Sequence, residues 1–265
     1  MTHPLLETAL ADWHTILGSG AIVKNLDTLQ SVAMNCIGLQ RRISAILYPE
    51  NTNQVVEVVQ IAAKFKIPLY PYSTGRNWGY GTASPVIDEG VLVDLSRMQR
   101  IVDFDTETGL LTIEPGVTQR ILDAYLKQHK LPFMIPVTGA GPDCSLVGNA
   151  FERGYGITPY ADHFGAVMNL EAVLPNGKIY RSMLSGLDGE MIDKAFKWGM
   201  GPYVDGLFTQ SNLGIVTQMT IALAPKPERV EAFFFSVKKA DSLELAVEKV
   251  QKVLREVGGV TGSIN

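Results

Sequence analysis

A glycine-rich stretch that runs directly from one predicted strand into another constrains this chain more than any other feature. Residues 73–81 read Ser-Thr-Gly-Arg-Asn-Trp-Gly-Tyr-Gly, between apolar runs at 67–72 and 91–95 that favour strands. Glycine allows positive φ and lets the main chain approach an anion closely. The backbone N–H groups of this first glycine loop are therefore suited to wrap a pyrophosphate.

The order strand–loop–strand disfavours the common nucleotide motifs. Residues 79–84 nearly match the dinucleotide glycine pattern, but that pattern opens a helix, whereas here a proline-containing turn and a strand follow. The lysine that follows the glycines of a P-loop is also missing. We therefore do not expect a nicotinamide Rossmann site or a P-loop NTPase. A loop of this kind, taken alone, is as often an ordinary glycine-rich turn.

Composition limits the classes of function. Of 265 residues, 46% are hydrophobic and 19% are charged, and the formal net charge is -4, so we expect a folded core and neither nucleic acid nor an anionic membrane as partner. No apolar run is long enough to span a bilayer, and residues 1–16 lack the features of a secretory signal, so we expect a cytoplasmic protein. We expect Cys36 and Cys144 to be reduced thiols. The four histidines lack the spacing of metal ligands, and no metal site is expected: His3, His14, His129 and His163.

The predicted elements mix helices with hairpins. Helical spacing of apolar residues predicts helices over 4–17, 51–66, 118–129 and 242–256. Apolar or alternating runs predict strands at 46–49, 67–72, 91–95, 111–117, 215–223 and 230–237. An Asn-Gly turn joins 170–174 to 178–181 as a hairpin, while 136–156 are expected to be mostly loop. This order indicates an α+β fold rather than a doubly wound parallel sheet.

Two further loops accompany the first. The second glycine loop, residues 139–149, reads Gly-Ala-Gly-Pro-Asp-Cys-Ser-Leu-Val-Gly-Asn and precedes Glu-Arg-Gly-Tyr-Gly at 152–156. The third loop, residues 201–217, begins Gly-Pro-Tyr-Val-Asp-Gly-Leu-Phe-Thr-Gln. Together with Glu-Pro-Gly-Val at 114–117 and Thr-Pro-Tyr-Ala-Asp-His-Phe at 158–164, they resemble the FAD-binding (PCMH-type) domain of the vanillyl-alcohol oxidase and p-cresol methylhydroxylase family. The resemblance covers roughly residues 45–227 and is greatest to the 4-alkylphenol-oxidising branch.

The resemblance implies a two-subdomain FAD-binding domain over residues 1–228, with mixed and antiparallel sheets. The composition changes at Ala224-Pro225-Lys226-Pro227, and residues 229–265 are expected to be the truncated start of a substrate-binding cap. The implied reaction is oxidation of a para-substituted phenol by hydride transfer from the benzylic carbon to FAD, with dioxygen or a cytochrome c as electron acceptor. A homodimer or a complementary chain carrying the cap is an implied partner. Two alternatives remain open: an inactive flavin-binding remnant or partner subunit, and a nicotinamide dehydrogenase.

The resemblance also implies roles for individual residues. The pyrophosphate would be held by Ser73, Thr74, Gly75, Arg76, Asn77 and Trp78. The other side of the cofactor would be lined by Gly141, Pro142, Ser145, Gly148 and Asn149. Pro115 would lie near the adenine end, and Gly154 and Ile215 would make backbone contacts to FAD. For Arg76, a solvated or structural role competes with pyrophosphate binding.

Tyr80 is the candidate catalytic residue. In the resembled branch, the matching tyrosine hydrogen-bonds the phenolic oxygen of the substrate. Donors at that oxygen favour the phenolate, whose charge assists loss of a benzylic hydride. The competing role is a loop aromatic that stacks on its neighbours.

Three departures from the resembled family qualify this expectation. Ala140 stands where some relatives carry an aspartate near the flavin, and Asp143 is out of register, so base chemistry of that kind is not expected. The first glycine loop holds no histidine for covalent FAD attachment. The cap residues that bind phenolate and attach FAD are expected to be missing. For His163 a structural hydrogen bond is favoured over catalysis.

Overall fold

The chain folds into two β-sheets with helices packed on their faces. The computed structural model describes residues 4–36, 38–76, 83–156, 161–187, 191–231, 233–237, 239 and 242–257. Within these ranges the fold is α+β with one mixed and one antiparallel sheet, so the expected fold class is confirmed. No helix among the described residues is long and apolar enough to cross a membrane.

The first sheet is mixed and has the strand order β1-β2-β4-β3. Its strands are β1 (Ile22–Val23), β2 (Ile43–Leu47), β3 (Leu69–Tyr72) and β4 (Gly90–Asp94). β2 and β3 both run parallel to β4, whereas β1 is antiparallel to β2. Three helices accompany this sheet: α1 (Leu6–Leu17), α2 (Leu26–Ala33) and α3 (Thr52–Phe65). Because β3 ends at Tyr72, the first glycine loop leaves the sheet at the carboxyl end of a parallel strand.

α3 begins and ends where its sequence dictates. The side chain of Asn51 accepts a hydrogen bond from Gln54 N at 3.0 Å, which caps the amino end of the helix. Lys66 ends the helix in the left-handed region with φ 55°. The apolar face of α3 packs with α1 on the first sheet, and Val173 and Ile215 of the second sheet join the same core. α3 therefore connects the two sheets.

The second sheet is antiparallel and has the strand order β5-β6-β9-β7-β8. Its strands are β5 (Ile101–Asp105), β6 (Leu110–Ile113), β7 (Val167–Val173), β8 (Ile179–Arg181) and β9 (Ile215–Ala222). The remaining helices are α4 (Gln119–Gln128), α5 (Leu146–Phe151), α6 (Ile192–Ala195) and α7 (Leu243–Val257). β7 and β8 form the predicted hairpin, with Gly177 at φ +76° in its turn. α4 and α5 pack into the core beside this sheet.

One predicted element was wrong and one was incomplete. Residues 136–156 are mostly loop, as expected, but they also contain the six-residue helix α5, whose amino end is capped by Ser145. The strand expected over 230–237 is missing among the described residues of that segment. Phe233, Phe234 and Phe235 have high β-propensity, but they are 81%, 97% and 70% exposed and have no neighbouring strand among the described residues to pair with. The helix expected over 242–256 is confirmed as α7.

Candidate cofactor-binding site

The first and second glycine loops begin 66 residues apart in the sequence and meet in space. Thr74 Oγ1 donates a hydrogen bond to the backbone oxygen of Asp143 at 3.0 Å, across a sequence separation of 69. The thiol of Cys144 donates to the backbone oxygen of Arg76 at 3.3 Å. These two bonds fix the described part of the first loop against the second.

Gly148 makes the closest approach between the two loops. A Cβ at this position would lie 2.7 Å from Ser73 Oγ and 3.2 Å from Ser73 Cβ. Gly148 lies in α5, whose amino end is capped by Ser145, since Gly148 N donates to Ser145 Oγ at 2.9 Å. The same hydroxyl donates to the backbone oxygen of Pro115 at 2.6 Å. Four of the predicted cofactor-binding residues therefore lie in one contact network.

The first turn of α4 holds the second glycine loop from the other side. Gln119 Nε2 donates to Gly141 O at 3.1 Å, and Arg120 N donates to Pro142 O at 2.8 Å. The Arg120 guanidinium also bonds both carboxylate oxygens of Asp143. This pairing with Arg120 lowers the pKa of Asp143, and Arg76 adds to the effect. Asp143 is thus an ion-paired anion at neutral pH, and its lowered pKa makes it a weak base.

A buried carboxylate supports the turn at Pro115. The Glu114 side chain is 0% exposed and accepts from Arg100 N at 2.9 Å and from Arg100 Nη2 at 2.6 Å. Next to it, Gly116 N donates to Met98 O at 2.7 Å, and a Cβ on Gly116 would lie 2.7 Å from the same oxygen. Only glycine fits this approach, so the segment 114–117 is rigidly placed beside the cap of α5.

Asn149 and Gly154 lie together at the carboxyl end of α5. Gly154 N donates to Asn149 O at 2.8 Å, and a Cβ on Gly154 would lie 1.9 Å from Asn149 Oδ1. Asn149 Nδ2 also hydrogen-bonds Nδ1 of His163, in agreement with the structural role expected of that histidine. The side chain of Asn149 is therefore occupied by protein groups.

Three backbone donors of the first glycine loop have no acceptor among the described residues. No described residue accepts a hydrogen bond from the backbone N–H of Thr74, Gly75 or Arg76. Gly75 and Gly141 have φ of +65° and +104°, and a Cβ on Gly141 would meet no atom within 4 Å. Backbone N–H groups in such turns, next to open space, are the usual ligands of a phosphate anion.

Three predicted site residues lie outside the described residues: Asn77, Trp78 and the candidate catalytic Tyr80. Ile215 begins β9, pairs with Val173 and is buried in the core with α1 and α3. The roles of all the predicted site residues, including those within the network, stay predictions.

Sequence reasoning missed three residues that hold the loops. Gln119 and Arg120 follow Thr118, whose hydroxyl accepts a hydrogen bond from Ile121 N and caps α4. The sequence therefore predicted the start of this helix, but it did not predict that Gln119 and Arg120 would bind the second glycine loop. Arg100 gave no signal, because nothing in the sequence pairs it with Glu114 fourteen positions later. Contacts of this kind depend on which loops the sheets bring together.

The fold and the two facing glycine loops match a known class of domain. A family model described as FAD binding domain matches residues 43–182. The chain is 41% identical over 256 residues to 1'-carboxy-chondrochloren decarboxylase of Chondromyces crocatus, covering 97% of this chain and 46% of that protein. It is 37% identical over 228 residues to the 4-cresol dehydrogenase (hydroxylating) flavoprotein subunit of Pseudomonas putida, covering 85% of this chain and 44% of that one.

Solved structures agree with the sequence relatives. Substrate-bound p-cresol methylhydroxylase superposes with a TM-score of 0.86 at 32% identity, over 96% of this chain and 50% of the other. The chain belongs to the family of FAD binding domains, and its expected resemblance to the PCMH-type flavoproteins is confirmed. The expected cofactor, FAD, is confirmed at the level of the family. The chain spans about half the length of the relatives it matches.

Proposed function

We propose that this chain is the FAD-binding part of a flavin-dependent oxidoreductase that oxidises para-substituted phenols. The observation that carries the proposal is the contact between the two glycine loops, where Gly148 lies against Ser73 and Thr74 bonds Asp143. The similarity to the 4-cresol dehydrogenase flavoprotein subunit and to p-cresol methylhydroxylase supports the phenolic substrate class.

Different loops of the chain would bind different parts of FAD. Backbone N–H groups of residues 74–78 would hold the pyrophosphate, and the second glycine loop from Gly141 to Asn149 would line the opposite side. Pro115 would lie toward the adenine end. When bound, FAD supplies the acceptor for a hydride from the benzylic carbon. Tyr80 would donate a hydrogen bond to the phenolic oxygen and so stabilise its anion.

The ion pair of Asp143 bears on proton handling. Arg120 hydrogen-bonds both oxygens of Asp143 and lowers its pKa, so this carboxylate would be a weak acceptor for a proton of the substrate. Activation of the phenol therefore falls to hydrogen-bond donors that favour phenolate. Reduced cofactor would pass electrons to a cytochrome c or to dioxygen, and the name "flavoprotein subunit" of one relative supports a partner chain.

An absorbance spectrum of the purified chain tests cofactor binding first. The spectrum is recorded as purified, after addition of FAD to the apo protein, and after acid precipitation, with NAD as the control ligand. Flavin bands that bind and are released by acid support a non-covalent FAD domain. Failure to bind added FAD would favour the alternative that the chain is an inactive remnant. Anaerobic bleaching of the flavin band by 4-ethylphenol, but not by ethylbenzene, then tests the substrate class.

A second reaction is favoured by one specific observation. The decarboxylase of Chondromyces crocatus is 41% identical to this chain, a higher identity than the 4-cresol dehydrogenase subunit gives. A carboxylated substrate that loses carbon dioxide is therefore the alternative to simple dehydrogenation. Release of labelled carbon dioxide from a carboxylated phenol, compared with bleaching by 4-ethylphenol, separates the two reactions.

A further inference from the structure

His163 is enclosed on every side by the loops around α5. It is 1% exposed, and its Nδ1 is bonded to Asn149 Nδ2. On the other edge of the ring, a Cβ on Gly156 would lie 2.4 Å from His163 Nε2 and 2.2 Å from Val137 O. Nε2 is buried and has no hydrogen-bond partner among the described residues. The backbone at Gly156 therefore packs against this edge of the ring.

The contact with Asn149 favours one tautomer of the ring. With the amide oriented so that Nδ2 faces His163, Nδ2 donates and Nδ1 accepts, and the proton of a neutral ring is then on Nε2. A doubly protonated ring would set two donors against each other. Burial lowers the pKa of His163 and Asp162 opposes this shift, while Lys197 lies near the same turn, bonded to Phe164 O and Gly165 O.

Asn149 transmits the position of His163 to the cofactor loop. Its backbone N donates to Ser145 O at 3.1 Å, and its backbone O accepts from Gly154 N at 2.8 Å. Its neighbour Gly148 is the residue that lies against Ser73. A shift of the Asn149 side chain would therefore move α5 relative to the first glycine loop.

We propose that His163 is a positioning residue for the FAD site: its neutral ring holds the Asn149 amide, which fixes α5 and Gly148 against Ser73. The proposal rests on the proposed FAD-binding function. It also changes the role of Asn149, whose Nδ2 binds His163 and so acts on the loop rather than directly on the cofactor.

A double-mutant cycle tests this link. FAD dissociation constants are measured by fluorescence titration for wild type, H163L, N149A and the double variant, with the melting temperature of each apo protein. H163L should weaken FAD binding roughly tenfold, since a buried amide loses its acceptor. The double variant should bind no more weakly than the weaker single variant, because both changes break one link. H163Q, which restores an acceptor, should recover most of the affinity.

The same His-to-Leu change at the exposed His14 is the matched control and should leave FAD affinity unchanged. The proposal is overturned if H163L binds FAD like wild type while only its apo melting temperature falls, since His163 would then merely fill space. It is also overturned if the two single effects add in the double variant. If H163L does not fold, N149A and H163Q decide: FAD affinities equal to wild type in both overturn it. A wild type that fails to bind FAD instead refutes the proposed function itself, and this inference with it.

Side-chain nitrogen NMR gives a readout that does not depend on FAD. Wild-type His163 should show the Nε2–H tautomer, and N149A should shift its Nδ1 resonance. An Nδ1–H tautomer in the wild type would contradict the inferred hydrogen bond.

Discussion

The hydroxyl oxygen of Ser73 lies 2.7 Å from the point where a side chain on Gly148 would begin. Ser73 follows β3 of the first sheet and Gly148 lies in α5, so this contact joins the two glycine loops. The hydrogen bonds of Thr74 and Cys144 flank it. A single methyl group at position 148 is therefore a direct probe of how the two loops fit.

Gly148→Ala should weaken FAD binding about tenfold or more, because Ser73 and α5 must move apart to admit the methyl group. Fluorescence titration with FAD measures the effect, and circular dichroism checks that the fold survives. Gly186→Ala is the matched control, since a Cβ there meets no atom within 4 Å. Equal affinities of the two variants would show that the contact does not shape the site.

Glu114→Gln should lower the free energy of unfolding by about 2–3 kcal/mol, because the amide turns a donor toward the Arg100 guanidinium and leaves a buried group poorly paired. Urea denaturation measures the change. The control is Lys127→Gln, which removes an exposed i,i+4 pair with Asp123 and should cost less than about 0.5 kcal/mol. Similar losses in both variants would mean that burial of Glu114 adds nothing.

The two thiols should differ sharply in reactivity. Cys144 is 5% exposed and burial raises its pKa, whereas Cys36 is exposed, and neither is in a disulfide. With a colorimetric disulfide reagent at neutral pH, we expect one thiol to react quickly and the second only after unfolding in urea. Cys36→Ser should abolish the fast phase. Two fast thiols in the native protein would contradict the placement of Cys144 between the loops.

Stability should fall in mild acid because of His163. Its folded pKa lies below the unfolded value of about 6.5, so the unfolded chain binds the extra proton first. The contribution of the neutral ring is thus fully present above pH 6.5 and is lost as pH falls toward the folded pKa. Urea denaturation between pH 7.5 and 5.5 should show a steeper loss for wild type than for H163Q. Parallel pH profiles would refute this assignment.

Local signals in the sequence predicted much of this fold. The cap at Asn51 and the apolar face of α3 placed that helix correctly, and Asn176-Gly177 placed the β7–β8 hairpin. α5 was missed because six residues between glycines are too few for a periodic pattern. β5 and α2 were also missed, since one is only partly buried and the other buries a single leucine.

The candidate site was predictable in composition but not in geometry. The glycines and Ser145 identified two loops, and the structure places those loops in contact. Nothing local indicated that Arg120 would pair with Asp143, or that Glu114 would be buried beneath Arg100. Such pairings follow from the packing of the sheets, which single-sequence patterns do not report.

The bond between Thr74 and Asp143 spans 69 positions along the chain, and that between Cys144 and Arg76 spans 68. Contacts so distant in sequence form only after the long intervening segment has closed, at an entropic cost that local helices do not bear. During synthesis, the first glycine loop is complete well before its counterpart leaves the ribosome. Because the proposed FAD site needs both loops, we expect cofactor binding to follow the folding of the chain through Cys144.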